Sequence, residues 1–269
     1  MDLPLVSITI TTKNEEKHIK NCLESITAQT YKNVEIIVVD NSSTDKTKAI
    51  ASKYTKKVFN KGPERSAQRN FGMLEKSKGE FVMYLDADMI LSPTVIEDAL
   101  GLIKKTKAIA LYISEIVMGD SFWSKVRRFE RSFYDGTVVD CVRFIKKDAF
   151  VKVGGFDESM TGPEDWDLDK KIREYGKTTL LKTSIFHNEA EFNLKKYLSK
   201  KGYYAKSFDK YISKWGKDDP DVKKQFSPLY RYCLVFFENG KIAKVSLHPI
   251  LFMGVISLRF LVGIVYILK

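Results

Sequence analysis

Cysteine is scarce in this chain. Cys22, Cys141 and Cys233 are far apart, odd in number and without C-x-x-C spacing, which argues against a disulfide framework and against a cysteine-built zinc site. Two glycine-rich phosphate cradles are also missing. Neither G-x-G-x-x-G nor G-x-x-x-x-G-K-[ST] occurs, which speaks against a dinucleotide oxidoreductase and a P-loop NTPase. The opening residues, MDLPLVSITITTKNEE, lack a basic start and soon reach a polar turn, so no secretory signal is expected there. Internal repeats and low-complexity tracts are absent as well.

What the chain has in excess is positive charge. Its 45 Lys and Arg against 34 Asp and Glu give a formal charge of +11, suited to a polyanionic partner: nucleic acid, phosphorylated ligands or an anionic membrane surface. With 269 residues, 44% of them hydrophobic, it can build one large α/β domain, alone or with an appendage.

The first ninety residues alternate β-α-β-α-β-α-β. Residues 5–11 (LVSITIT), 34–39 (VEIIVV), 57–59 and 81–85 predict strands, and apolar spacing over 15–28, 46–54 and 65–76 predicts helices between them. The wholly apolar second strand fits a sheet covered on both faces. Polar residues gather after each strand, at Thr12-Lys13-Asn14, Asp40 and Asp86-Ala87-Asp88. That is the end of an open α/β sheet where ligands bind. Two carboxylates at i and i+2 repel each other there, and a divalent cation shared with a ligand's phosphates would remove the penalty.

Further on, helices are expected over 94–105, 121–134 and 147–151, and strands over 108–118, 137–145 and 178–185. The tight turn 154–158 contains Gly154-Gly155. Glu164, Asp165, Asp167 and Asp169 crowd the start of a helix ending near Tyr175, more acid than the macrodipole of a first turn requires. His187 closely follows the last strand. Residues 217–221 (KDDPD) read as a linker.

Two stretches mix aromatic and basic residues. The segment 121–134, SFWSKVRRFERSFY, is either an ordinary amphipathic helix or a basic, aromatic lip facing a membrane or an anionic acceptor. The helical stretch 192–215 is rich in Lys and Tyr, as a membrane interface attracts. Residues 245–268, VSLHPILFMGVISLRFLVGIVYIL, are long enough to cross a bilayer, behind Lys241 and Lys244. Arg259 interrupts them at roughly 2.5–3.5 kcal/mol on insertion scales, which leaves an interfacial or amphipathic arrangement open.

Six motifs in order, VSITITTKNEE, EIIVVDNSSTDKT, RSAQRNFG, YLDADM, VGGFDE and GPEDWDL, resemble those of family 2 glycosyltransferases of the GT-A fold, over roughly residues 5–190. From composition, amphipathic or interfacial helices and linker are expected over 191–240 and a transmembrane segment over 241–269, and the resemblance implies a parallel-rich mixed α/β nucleotide-binding sheet over 1–190. It also implies a nucleoside site at Thr11, Lys13, Asn14 and Glu15, with Asp40 toward the base and Arg69 and Asn70 near the phosphates. Asp86 is expected near the ribose and metal, and Asp88 as the direct ligand of Mg²⁺ or Mn²⁺. His187 stands where some similar enzymes place a further ligand, and Asp165 matches the catalytic base of inverting members. Trp166 and Gly154-Gly155 would shape the sugar and acceptor pocket.

Lys13 stands where many relatives carry an aromatic residue, which favours a phosphate contact over stacking. The Q-x-x-R-W motif of processive synthases is absent from 192–215, which favours addition of one sugar. The expected protein is therefore a membrane-associated transferase facing the cytoplasm. Its donor would be a GDP- or UDP-sugar, with GDP-mannose preferred. Its acceptor would be a polyprenol phosphate or lipid-linked glycan, with the phosphate on Arg127, Arg128, Arg131 or the lysines of 195–206. A soluble glycan or protein acceptor, and a non-catalytic membrane scaffold, remain the alternatives. Nucleic acid is not expected as a partner, because the basic residues cluster with aromatics near the apolar tail.

Overall fold

The computed structural model describes residues 3–268. Its centre is an eight-stranded sheet in the order β3-β2-β1-β4-β7-β6-β8-β5. The strands are β1 (Val6–Thr12), β2 (Val34–Asp40), β3 (Val58–Asn60), β4 (Phe81–Asp86), β5 (Met89–Leu91), β6 (Ala110–Met118), β7 (Phe144–Lys146) and β8 (Thr178–Asn188). β1, β2, β3 and β4 are parallel to one another, as are β6 and β8, while β7 and β5 run antiparallel to the strands they pair with. The expected parallel-rich mixed α/β sheet is therefore present.

Alternation along β4 divides the interior into two layers. Phe81, Met83 and Leu85 pack with Ile8, Ile10, Leu23 and Ile26 on one face. Val82 and Tyr84 pack with Phe150, Phe156, Leu168 and Ile172 on the other. The helix α1 (Ile19–Thr27) buries Ile19, Cys22, Leu23 and Ile26, the apolar positions of its 3.6-residue repeat. It starts later than the spacing alone predicts, because residues 16–18 form a turn.

The helix α2 (Arg65–Asn70) passes directly into a π-helical turn, Phe71–Lys76. Gly72 allows this element onto β1, since a Cβ there would lie 2.3 Å from the Thr9 methyl. Next come α3 (Val95–Thr106) and α4 (Phe122–Arg131), the latter capped by Ser121, whose side chain accepts from the Ser124 N–H. α5 (Glu164–Tyr175) precedes β8. The Lys- and Tyr-rich stretch is two helices, α6 (Leu194–Ala205) and α7 (Phe208–Trp215), followed by α8 (Pro220–Phe226) and the apolar α9 (Pro249–Ile267).

Several expectations fail for identifiable reasons. The strand expected over 137–145 shrinks to β7, because Thr137–Asp140 is a turn. The Asp140 carboxylate accepts from the Gly136 N–H, at 2.9 Å, and from Arg131. β5 was not anticipated, being too short to show alternation. The expected linker is pinned: Asp219 caps α8 and pairs with Lys170 at 2.7 Å, and Asp221 pairs with Arg173 at 2.6 Å.

The basic lip is not a free surface either. Arg127 pairs with Glu130 and Glu189, Arg128 donates to the Val117 and Gly119 carbonyls, and Arg131 pairs with Glu115 and Asp140. All three arginines are spent inside the fold.

α9 is shorter than the apolar run, since His248 separates it from the short helix Ala243–Leu247 and Pro249 opens it. It is long and apolar enough to cross a membrane, with a mean hydropathy of 2.3 over its best window. One face, Gly254, Val255, Leu258 and Arg259, is buried against α4, while Ile250, Met253, Phe260 and Ile267 stay exposed. Arg259 points into the protein. It donates to Glu130 at 2.9 Å, to the Tyr134 hydroxyl at 3.2 Å and to the Arg231 carbonyl, so the insertion cost of a lipid-facing arginine does not arise.

Candidate active site

Sheet register assembles the site. β1 pairs Thr11 with Asp86 on one side and Thr12 with Asp40 on the other, so the ends of three strands lie level. The Thr11 hydroxyl donates to Asp86 Oδ1 at 3.3 Å. β5 then sets Met89 opposite His187 on β8, which carries His187 to Asp88.

Arg69 is the central cation. It is 1% exposed, stacks over Tyr84 at 4.3 Å, and donates Nη2 to Asp86 at 3.0 Å and Nη1 to Asp165 at 2.8 Å. One guanidinium thus joins two carboxylates that lie 79 positions apart in sequence. Arg65, on the same helix, pairs with Glu164 at 3.2 Å and approaches Asp86 at 4.0 Å. Burial alone would raise the Asp86 pKa, but Arg69, Arg65 and Arg143 together hold it far below the usual carboxylate range.

Asp88 and His187 form the second pair. His187 Nε2 lies 3.3 Å from Asp88 Oδ2, and its Nδ1 lies 2.9 Å from Glu115 Oε1. Burial opposes protonation, yet these two carboxylates hold the imidazole pKa up to about 10. The ring therefore stands as a donor to both, whereas a metal ligand must be neutral. Asp88 Oδ1 is buried without a hydrogen-bond partner among the described residues. That orphaned hard oxygen fits a divalent cation. Among the described residues, no group of three His, Cys, Asp or Glu side chains converges as a ready cage.

The nucleoside-side residues are less uniform. Asn14 adopts a left-handed φ of 55° and ties the first turn to the second, its N–H donating to Ser43 Oγ at 2.7 Å and its Oδ1 accepting from the Thr44 N–H. Asp40 is fully buried and already accepts from the Ser43 N–H at 2.7 Å and the Ser43 hydroxyl. Glu15 sits near Asp88. Burial first, then Asp88, raise its pKa to about 7, while Lys196 and Lys200 pull it down. Lys13 is exposed. Asn70 holds the Gly154-Gly155 turn, bonding both Phe156 N and Phe156 O.

Each acid at the start of α5 has its own cation: Arg65 for Glu164, Arg69 for Asp165, Lys171 and Lys214 for Asp167, and Arg173 for Asp169. This is why the cluster exceeds what a helix cap needs. Trp166 stacks on Phe208 and lines the cavity.

A cavity of about 370 Å³ runs from Asp86, Asp165 and His187 past α6 to Leu258, Val262 and Tyr266 of α9. Sequence reading missed Glu115 and Arg65. A lone carboxylate inside the apolar strand ALYISEIVM was the available signal for Glu115, which burial alone would raise but Arg131, His187 and Arg143 hold well below the usual range.

The site is thus a mixed sheet with paired acids at its strand ends, facing a helix that carries Arg65 and Arg69. The model for glycosyl transferase family 2 matches residues 7–160, more than half of the chain, and the chain belongs to that family. An uncharacterised glycosyltransferase of Rickettsia typhi is 31% identical over 183 residues, covering 61% of this chain, which spans 57% of that relative's length. One from Methanocaldococcus jannaschii is 29% identical over 187 residues, 62% of this chain and 64% of that one.

Among solved structures, the Pyrobaculum calidifontis mannosyltransferase in complex with GDP-Man and Mn²⁺ superposes with a TM-score of 0.61 at 18% identity, over 91% of this chain and 75% of that one. S. aureus TarS 1–349 in complex with UDP-GlcNAc gives 0.58 at 18% identity, over 93% and 79%. These likenesses carry the GT-A-like fold.

Proposed function

We propose that this chain is a membrane-associated, inverting, non-processive glycosyltransferase that moves one hexose from a nucleoside-diphosphate sugar to a lipid-linked acceptor. The observation that carries the reading is Arg69, which ties Asp86 at the end of β4 to Asp165 at the start of α5 across one cavity.

Inversion by single displacement needs one carboxylate on the acceptor side and charge neutralisation on the leaving-group side. Asp165 is the base. Its Oδ1 is oriented by Arg69, and its Oδ2 has no hydrogen-bond partner among the described residues. As the acceptor oxygen bonds to the anomeric carbon, Asp165 takes its proton and the nucleoside diphosphate departs with the electrons of the broken C–O bond. Asp86 and Asp88 hold Mg²⁺ or Mn²⁺, with the unpartnered Asp88 Oδ1 supporting that role. When bound, the ion neutralises the diphosphate. His187 orients Asp88, and can ligate only after losing its proton. Thr11, Asn14 and Glu15 line the nucleoside side, with Lys13 toward phosphate and Asp40 behind them.

GDP-mannose is the preferred donor, on the likeness to the Pyrobaculum mannosyltransferase; the TarS complex keeps UDP-sugars in the test panel. The lipid acceptor and the membrane are supported by α9, which exposes one apolar face and borders the cavity with the other. Lys241 and Lys244 before it favour a cytoplasmic catalytic domain.

Calorimetry of UDP- and GDP-sugars with and without Mn²⁺ tests the proposal. One nucleotide should bind only with metal, Asp88→Ala should abolish binding, and Asp165→Asn should keep binding while transfer is lost. Absence of nucleotide binding under every condition would overturn it.

A further inference from the structure

Most cations of this chain near the site are neutralised by the protein itself; a small group on the acceptor side is not. Lys200 and Lys201 on α6 and Arg231, just after α8, all line the cavity that holds Asp165. Among the described residues no group pairs with or hydrogen-bonds to any of the three side chains, and aromatic rings lie beside them. Lys201 Nζ lies 5.3 Å from the Tyr197 ring centre and 5.9 Å from that of Tyr204, Lys200 Nζ lies 5.8 Å from Tyr204, and the Arg231 guanidinium lies 5.7 Å from Tyr134.

Resting on the transferase reading above, we propose that Lys200, Lys201 and Arg231 form a subsite for the phosphate ester of the acceptor, whose apolar chain runs along Leu258, Val262 and Tyr266 of α9.

Three features select this chemistry. Unpaired cations converging in one cavity repel each other until an anion enters. Burial, with Arg127, Arg231 and Lys200 nearby, holds the Lys201 pKa down to about 7, although Glu130 opposes this. A phosphate monoester brings up to two negative charges and several acceptor oxygens, matching two ammonium groups and a forked guanidinium better than a carboxylate's single charge.

The third feature is the far wall. It is apolar, and it belongs to a helix whose opposite face exposes Ile250, Met253, Phe260 and Ile267. A free inorganic phosphate would leave that wall without a partner. The backbone supports the placement too, since Arg259 donates to the Arg231 carbonyl and so fixes Arg231 to α9.

The test uses the full chain in maltoside micelles and follows its tryptophan fluorescence, to which the cavity-lining Trp166 contributes, while dodecyl phosphate is added. Saturable binding is expected, weakened at least tenfold in Lys201→Gln and in Arg231→Gln, and largely retained in Lys201→Arg. Donor-nucleotide binding should be unchanged in all three, which checks folding and separates failure of this subsite from failure of the transferase reading. Inorganic phosphate competing as well as dodecyl phosphate would overturn the amphiphile, and dodecanol competing equally would overturn the charge recognition. Equal dodecyl phosphate binding by wild type and both glutamine variants would overturn the subsite itself.

Discussion

Replacing Arg259 with leucine tests how α9 is held to the catalytic sheet. Arg259 is 6% exposed and Glu130 3%, so their 2.9 Å pair is shielded from water. Removing one partner of a buried ion pair costs about 3–5 kcal/mol, because the other charge is left uncompensated. Here the two partners are not equivalent. Without Arg259, Glu130 keeps Arg127 at 2.6 Å and the Tyr134 hydroxyl at 2.6 Å. Arg259→Leu should therefore fall near the lower end, about 3 kcal/mol.

Among the described residues, Glu130→Gln removes the only carboxylate that Arg259 has and leaves Arg127 with Glu189 alone. Its cost should approach the upper end, about 5 kcal/mol. Replacing the pair together by Glu130→Leu and Arg259→Leu should recover part of the loss, since apolar groups of similar volume need no partner. Urea unfolding in a fixed maltoside concentration measures all four proteins. If Arg259→Leu costs as much as Glu130→Gln, or if both cost under about 1 kcal/mol, the pair does not fasten the helix.

Two further outcomes follow from local geometry. Gly154 and Gly155 have φ of 76° and 64°, but a Cβ at Gly154 meets open space, whereas one at Gly155 would lie 2.6 Å from Asn70 Oδ1. In thermal unfolding Gly154→Ala should cost about 1–2 kcal/mol from backbone strain alone and Gly155→Ala visibly more, and equal costs would refute the contact. Asp157 pairs with Lys214 at 2.9 Å; burial opposes ionisation, but Lys214 and Ser159 hold its pKa down to about 2. Because the folded-state pKa lies below the unfolded value, its contribution is full above about pH 4 and disappears as pH falls through 2. After allowance for screening, Asp157→Asn should lose about 0.5–1 kcal/mol of the pH-dependent stability between pH 5 and 2, and an unchanged acid limb would contradict this.

The sheet was legible because β1, β2 and β4 are apolar runs ended by polar turns, a local signal. Asp86, Asp88 and Asp165 were legible as motif residues; Asp86 and Asp165 line one cavity, and Asp88 lies beside His187, which lines it too. Asp40 was legible by position, yet its oxygens are engaged by Ser43, a contact that spacing cannot reveal. For the arginines of α4 an ordinary amphipathic helix and a free basic surface both stayed open, because their partners Glu115, Asp140 and Glu189 come from other elements. Long-range pairing also hid the fixed state of residues 219–221, where a Pro and three nearby acids mimic a loop. Arg231 carried no distinguishing pattern, and Lys200 and Lys201 stood only as two among the lysines of 195–206. What sets them apart is the lack of a partner, visible only once the others are paired.

The irregular join of β6 and β8 restricts how this chain can change in length. Ala110–Ile113 pair with Thr178–Leu181, and after the irregularity Glu115 pairs with Ile185 and Val117 with His187, so β8 carries two more residues than β6. The surplus is even. Side chains alternate sides with a period of two, so Ile185 keeps its place in the core and His187 keeps its place beside Glu115 and Asp88. Gaining or losing a single residue between 182 and 184 would turn both to the wrong side. A change of two would spare them. Across lineages this short segment is thus expected to vary by parity rather than by size, recording in its length the requirement to present one imidazole.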